Sequence, residues 1–480
     1  MDRRFGCAII PVDMLPISAD ILSSLEPNSA YVVGGSVRDM LLARRPLDYD
    51  LAVTGSPEQF ARQMAAALSG HYVEIGKPGL MIHRVVSGDL MFDISAIAGT
   101  SIEDDLRRRD FTINAMAYDL SGGNIVDCLN GRQDLDKKTV RMVSPSVFKQ
   151  DPVRLIRAFR MAATLNFTVD QETEAAVEKN AFRIRDSAGE RIWAELYKIL
   201  DTDDSHRFVD RMAGCGLLFA ILPELLPLKG CLQNRYHQFD VFDHTLAAYD
   251  HLEQILLDAR TYIPATTENR SPLSVGIPAP ILKFALLLHD IGKPPSRSEG
   301  QNGRVHFYGH GRRGADMARG ISRRLKLSRR DADDVDFIVR NHLRPLHLFT
   351  SRRRDRISPK AVTRFFIRAG TRTPALLLHG IADILGKKMT DDDRNQEFIG
   401  FARQLMATYF SSFKPRTQDP PLLSGHDLIN TFELRPSPLL GTILARTEEA
   451  RLAGVIGSKK EAEKWVQNFL KTRRSLNPDN

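Results

Sequence analysis

Cysteine is nearly missing from this chain. Its 480 residues hold four, Cys7, Cys128, Cys215 and Cys231, and no two of them stand in a CxxC spacing. That excludes a disulfide framework or a zinc ribbon as the device that holds the fold together. The economical expectation is a reduced, cytoplasmic compartment. Long apolar runs are missing as well. None reaches the roughly 18–20 residues that a membrane-spanning helix requires, so no membrane partner is expected. The opening residues 1–6, Met-Asp-Arg-Arg-Phe-Gly, lead into a proline-broken segment and do not read as a signal peptide. No internal repeat is visible, and nothing in the sequence points to a protein partner.

What is present is ordinary in bulk and unusual in detail. The length implies two to four domains with ample core. Hydrophobic residues make up 42% and charged residues 26%, as in globular domains generally. The net charge is +8 and the isoelectric point is near 9.3, which favours a polyanionic partner. Arginine gathers at 107–109, at 323, 324, 329 and 330, and at 352, 353, 354 and 356. Guanidinium groups suit bidentate phosphate contact, although any single cluster reads equally well as a solvated helix end.

Residues 1–140 alternate strands and helices, a small α/β palm. Strands are expected at 30–33, 47–53, 71–75, 81–86 and 90–95, with helices near 37–44 and 57–68. From 141 helical periodicity takes over, with helices at 151–165, 171–180, 189–200 and 204–214. The expected domains are 1–140, a helical neck 141–215, a histidine-rich helical block 216–400, and a C-terminal helical tail 401–480. Inside the third block 259–281 reads as an exposed loop, and 415–422 reads as a proline-rich linker before helices over 425–473.

The most informative stretch is Gly34-Gly35-Ser36-Val37-Arg38-Asp39, followed by Leu47-Asp48-Tyr49-Asp50-Leu51. A buried strand leads into a glycine pair that opens a helix. Backbone N–H groups at such a turn can hold a triphosphate, helped by the partial charge of the helix end. Asp48 and Asp50 lie two apart on a strand, so both project from one face. Two hard anionic oxygens a few ångströms apart suit a pair of Mg²⁺ ions that activate a hydroxyl and steady a leaving pyrophosphate. Alone, a glycine pair is usually a turn and Asp-x-Asp a solvated strand end. Their union in this order is far more specific.

With GGSVRD (34–39), DYD (48–50), RRDFTINAMAYD (108–119) and QDPVRLIRAFRMAATLNF (150–167), the first half of the chain resembles the polymerase-β superfamily of nucleotidyltransferases. More closely it resembles the bacterial class II tRNA nucleotidyltransferase and poly(A) polymerase family. The resemblance implies an α+β palm followed by mostly α-helical domains. It implies phosphates on Gly34 and Gly35, and Arg38 orienting the metal-binding carboxylates. Arg109 and Asp110 would hold the sugar within the motif that also carries Asn114. Asp151 and Arg154 would read the base edge without a template, with Arg157 on the same helical face. The family motif has Glu where this chain has Gln150. Asp110 also fits a plain helix N-cap. Asp93 reads as a strand-end residue, and the helix around Glu190–Leu196 as a support element.

Two further features bear on specificity. Family members that build a whole CCA end carry a long polar stretch before the Arg-Arg-Asp motif. Here only 94–106 intervenes, which resembles enzymes that add part of the end, CC-adding or A-adding. The lack of an extended basic tail argues mildly against a poly(A) polymerase.

The third block resembles the HD metal-dependent phosphohydrolases through Phe239-Asp240-Val241-Phe242-Asp243-His244 and Leu288-His289-Asp290-Ile291-Gly292-Lys293. The implied ligands are His244, His289, Asp290 and Asp383, with His310 and His342 as candidates for a second ion. A divalent transition metal or Mg²⁺ suits imidazole and carboxylate donors. The expected whole is a template-independent enzyme adding C, A or both from CTP and ATP to tRNA. The rivals are a poly(A) polymerase, or an HD phosphohydrolase with an RNA-binding palm.

Overall fold

The computed structural model describes residues 15–17, 19–23, 25–77, 80–232, 239–263, 276–300, 304–352, 358–387 and 393–476. Cys7, most of the expected 259–281 loop, and Arg353, Arg354 and Arg356 of the third arginine cluster lie outside the described residues. The chain forms two compact units. One comprises 1–202 with 208–221, and the other 203–207 with 222–480.

Seven strands of the first unit make one sheet: β1 Ala30–Val33, β2 Asp48–Val53, β3 His71–Lys77, β4 Leu80–Ser87, β5 Leu90–Ala96, β6 Ala117–Asp119 and β7 Ile125–Val126. They lie in the order β3-β4-β5-β2-β1-β6-β7. Neighbours are antiparallel except for β2 and β5, which run parallel with Asp48 opposite Met91 and Asp50 opposite Asp93. The parallel pair needs a long crossover, supplied by the helix Pro57–Ala67 and the β3–β4 hairpin. Ser56 caps that helix by accepting from the Gln59 N–H, and Pro57 occupies its first turn.

Hydrophobic alternation fixes which way β2 faces. Tyr49, Leu51, Ala52 and Val53 are buried while Asp48 and Asp50 face out. Tyr49 stacks on Phe92 of β5 at 5.3 Å between centroids. Burying side chains of this size contributes about 1.5–3 kcal/mol each, so a one-residue slip, which would turn them to water, is strongly disfavoured. The register that exposes the two acids is therefore set by the apolar residues between and after them.

The helix Val153–Leu165 follows, stopped at Asn166 in the left-handed region (φ 58°). It packs on the helix Gly189–Leu200. Two-residue strands at Thr139–Val140 and Thr168–Val169 pair across the expected 140/141 boundary.

The second unit is helical. Its centre is built by Val241–Leu257, Ala279–Leu288, His310–Arg324, Arg329–Asn341 and Thr373–Leu385. Gly292 is required where the turn after Ala279–Leu288 meets the start of His310–Arg324. A Cβ there would stand 2.1 Å from the His310 carbonyl oxygen. The segments 259–261 and 279–281 of the expected loop are helical, as is Lys414–Gln418 in the expected linker. The helix Asp393–Thr408 runs across the expected 400/401 boundary. The last helices gather a separate core of Leu423, Leu428, Ile443, Ile456 and Val466.

Candidate functional site

In the first unit, β1 ends at the turn Gly34, whose φ of 75° is the left-handed region that favours glycine. A Cβ at Gly34 would lie 2.7 Å from Arg109 Nη1 and 3.4 Å from Asp50 Oδ2. The turn, the second acid of β2 and the arginine of the Arg-Arg-Asp motif therefore converge. Ser36, on the helix Gly35–Leu41, locks this arrangement. Its Oγ donates to the Asp48 carbonyl at 3.0 Å and accepts from the Asp50 N–H at 3.3 Å.

Burial raises the Asp50 carboxyl pKa. Arg109 opposes that shift, while Asp93 and Asp48 add to it. Asp50 still meets solvent at its tip, so the protein around it withholds solvation without sealing it. A like-charged pair held so closely is costly until a cation neutralises it. That is the condition expected of a divalent-ion site.

Asp93, taken from sequence as a strand-end residue, sits beside Asp50 in register and grips Arg84 with two bonds of 2.7 Å. Arg84 therefore holds the third carboxylate of this corner. The pairing of β2 with β5 is non-local, and no local sequence signal reveals it.

Several expected roles are revised. Gly34 donates its N–H to the Met116 carbonyl at 3.3 Å, so phosphate-facing amides begin at Gly35 and Gly34 contributes room and backbone conformation. Arg38 does not reach Asp48 or Asp50. It pairs with Asp39 and donates to Asn114 Oδ1 at 2.6 Å. Asn114 Nδ2 in turn donates to Asp110 Oδ1 at 3.1 Å, and Arg157 Nη1 donates to Asp110 Oδ2 at 3.2 Å. Asp110 also accepts from the Phe111 N–H, but its second oxygen is committed to the chain Arg38–Asn114–Asp110–Arg157.

Asp151 is not on the same helical face as Arg154 and Arg157. It lies in extended backbone just before the helix Val153–Leu165 and pairs with Arg191 at 2.7 Å. Arg154 instead donates to the Arg108 carbonyl and, at 3.4 Å, to Gln150 Oε1. Glu195, read from sequence only as part of a support helix, holds Arg157 at 3.1 Å and Arg160 at 2.8 Å.

Gly34, Gly35, Asp50, Asp110, Asn114 and the arginines around them line a cleft of about 390 Å³. Arg38, Arg109, Arg154, Arg157 and Arg160 face two carboxylates, Asp50 and Asp110. Asp39, Asp105 and Glu195 behind the cleft pair with Arg38, Arg109 and Arg160 and fix them in place, and guanidinium groups so held suit an oxyanion ligand rather than a neutral one.

The second unit assembles the histidines. His244 Nε2 lies 2.9 Å from Asp383 Oδ1, His289 Nε2 3.1 Å from Asp290 Oδ2, and His310 Nε2 3.4 Å from Asp290 Oδ1. Two ligand groups result, His244 with His289 and Asp290, and His310 with His342 and Asp290. Asp290 offers one oxygen to each. His289 Nε2 makes no well-aligned hydrogen bond, and the cation that Asp290 Oδ2 already meets is Lys293, whose Nζ lies 2.6 Å away. A buried imidazole nitrogen left in this state fits a cation. The Nδ1 of His289, His310 and His342 each contacts a backbone carbonyl, which turns Nε2 inward.

Burial alone would lower the His289 pKa, but Asp290 and Asp383 raise it to about 10. His379, which sequence reading passed over, is fully buried with both ring nitrogens unsatisfied, 5.2 Å by ring centroid from His289. Burial, reinforced by the charge on His289, lowers its pKa to about 3. Its position four residues before Asp383, one helical turn, was the available signal.

Three family models match the chain. A poly A polymerase head domain matches residues 30–98 and 93–141, a probable RNA and SrmB-binding site of polymerase A matches 166–228, and an HD domain matches 241–364. An A-adding tRNA nucleotidyltransferase of Deinococcus radiodurans is 34% identical over 92% of this chain and 96% of its own length. A CC-adding tRNA nucleotidyltransferase of Thermus thermophilus is 30% identical over 92% and 93%. The fold is also that of a Thermotoga maritima CCA-adding enzyme solved with tRNA, with a TM-score of 0.61 at 19% identity over 95% and 98% of the two chains.

Proposed function

The chain belongs to the tRNA nucleotidyltransferase and poly(A) polymerase family, and from that premise we propose that it transfers cytidylyl or adenylyl units from CTP or ATP to the 3′ hydroxyl of tRNA. The observation that carries this reading is the meeting of Asp50, the Gly34 turn and Arg109 at a cleft rich in arginine, with Asp48 two residues before Asp50 on the same outward face of β2.

Asp48 and Asp50 would hold Mg²⁺. Bound there, the metal would lower the pKa of the attacking hydroxyl and neutralise the departing pyrophosphate. Arg109 and the amides from Gly35 onward meet the triphosphate. Asp110, oriented by Asn114 and Arg157, accepts from a ribose hydroxyl. Arg154 presents donors to the base, and Asp151 supplies the acceptor edge. RNA is held by charge and shape on basic helical surface.

The connection from β5 to the helix Ile102–Leu106 is only 97–101. Relatives named A-adding and CC-adding support the reading that this protein adds part of the end.

Asp48→Ala and Asp50→Ala each lower incorporation of labelled CTP or ATP by at least about a thousandfold, roughly 4 kcal/mol of barrier, while the melting curve stays cooperative. Undiminished incorporation by either variant refutes the assignment. The His–Asp cluster supports a second, phosphoester-hydrolysing activity in the same chain, lost in His289→Ala and intact in Asp48→Ala.

A further inference from the structure

Outside the palm, a second cleft of about 740 Å³ opens between the helices Arg344–Arg352 and Pro359–Ala369, and reaches His310 of the histidine cluster. It is nearly twice the volume of the palm cleft. Arg340 on its wall is neutralised by Asp316 and Asp336, each at 3.0 Å, and Arg364 by Glu449 at 2.7 Å. Arg344 and Arg368 are different. They act on one another with like charge, and among the described residues neither has a carboxylate within ion-pair distance. Arg344 is half-buried, so water screens it only in part. Arg368 is exposed, and the two together offer an anion a pair of guanidinium groups that no described carboxylate occupies.

At the rim stands Tyr308, 78% exposed. Its ring lies against His306 at 5.1 Å with an interplanar angle of 14°. A large aromatic so exposed, yet held flat by a neighbouring ring, is a ready platform for stacking.

We propose that this cleft seats the single-stranded 3′ end of an RNA, with a backbone phosphate on Arg344 and Arg368, a base on Tyr308, and the terminal nucleotide at the histidine cluster. The inference rests on reading that cluster as a metal site for phosphoesters. It adds that the ligand there is longer than one nucleotide. Stacking supplies affinity without a demand for a particular base, and the arginine pair selects for a second phosphate.

The test places a reporter in the cleft. Tyr308→Trp adds an indole whose fluorescence is read after subtracting that of the parent, which carries only Trp193 and Trp465. Full-length protein in chelator is titrated with a single-stranded RNA trinucleotide, with AMP and with inorganic phosphate. The trinucleotide quenches the introduced indole at a concentration at least tenfold below that of AMP. Adding Arg344→Ala with Arg368→Ala removes this advantage, and Arg344→Lys with Arg368→Lys, which keeps the charge, retains part of it. Equal midpoints for trinucleotide and AMP, an absence of quenching in protein that melts cooperatively, or an advantage that survives the alanine pair each overturns the proposal. Elemental analysis of bound metal reads the cluster separately. Metal uptake without preference for the trinucleotide overturns the cleft alone, and failure to take up metal in both wild type and His379→Ala overturns the cluster reading beneath it.

Discussion

At the scale of single residues, the palm trades stability for a place to hold charge. The carboxyl of Asp50 titrates above the usual range because it is surrounded by protein and by Asp93 and Asp48, with Arg109 only partly offsetting them. A carboxyl raised in the folded state contributes stability below its unfolded pKa. That contribution is lost as pH rises through the folded value. At neutral pH the ionised Asp50 is therefore a cost. Asp50→Asn, inactive in nucleotide incorporation, accordingly melts above the wild type at pH 7 in chelator, and the difference closes as pH falls towards about 4, near the unfolded value. Mg²⁺ raises the melting temperature of the wild type more than that of the variant. Equal melting at pH 7 with no differential Mg²⁺ effect would contradict the cost assigned to Asp50.

The neighbours most legible in the sequence were those marked by local motifs: Gly34, Asp50 and Arg109 meet in one place, and so do His289 and Asp290. Asp93 and Glu195 were not legible, because their partners Arg84, Arg157 and Arg160 are fixed by strand register and helix packing. The placing of Asp151 on the same helical face as Arg154 failed for a related reason. An i, i+3 spacing implies one face only if the helix has begun, and here it begins at Val153.

Among elements, the strands and neck helices follow hydrophobic period closely. The helices Gln171–Asn180 and Gly189–Leu200 fall at the expected bounds. Misreadings came where proline was taken as a breaker. Pro415 lies inside a helical run that passes from Asp393–Thr408 through the π-helical turn Tyr409–Phe413 into Lys414–Gln418, the kind of local widening by which a helix accommodates a proline.

Five helices at the centre of the second unit make their own prediction, since each carries a His or Asp, within it or just after its end, to one buried cluster. With His289 raised to about 10 by Asp290 and Asp383, the metal-free cluster carries a proton at pH 7 that a cation must displace. Titrating Mn²⁺ or Ni²⁺ into chelator-treated protein at pH 7 in weak buffer releases about one proton per cluster ion. Affinity falls as the pH is lowered, and Asp290→Ala abolishes both. Metal uptake without proton release would contradict a protonated His289.

For the whole molecule, the two units divide the chemistry. The first carries the Asp48–Asp50 corner and the second the histidine cluster. The net charge of +8 is not shared between them: the first unit holds 25 Lys and Arg against 29 Asp and Glu, so the positive excess that favours RNA lies on the second. The gathering of histidines after 216 marked the second unit, whereas the boundary expected at 140/141 falls inside the first. The cut itself was not legible. Residues 203–207 belong with the second unit because Glu253 accepts from the N–H groups of Ser205 and His206 and pairs with Lys283 at 2.6 Å. Such a long-range buried contact leaves no periodic trace.

The most direct measurement offers the wild-type protein three acceptors in the presence of labelled CTP and ATP: tRNA lacking its CCA, tRNA ending in CC, and an unstructured RNA. The account predicts template-free extension of a tRNA by one or two nucleotides, C on the first acceptor or A on the second, then a stop. Long adenylate tails on the unstructured RNA, or no extension of either tRNA, would contradict it.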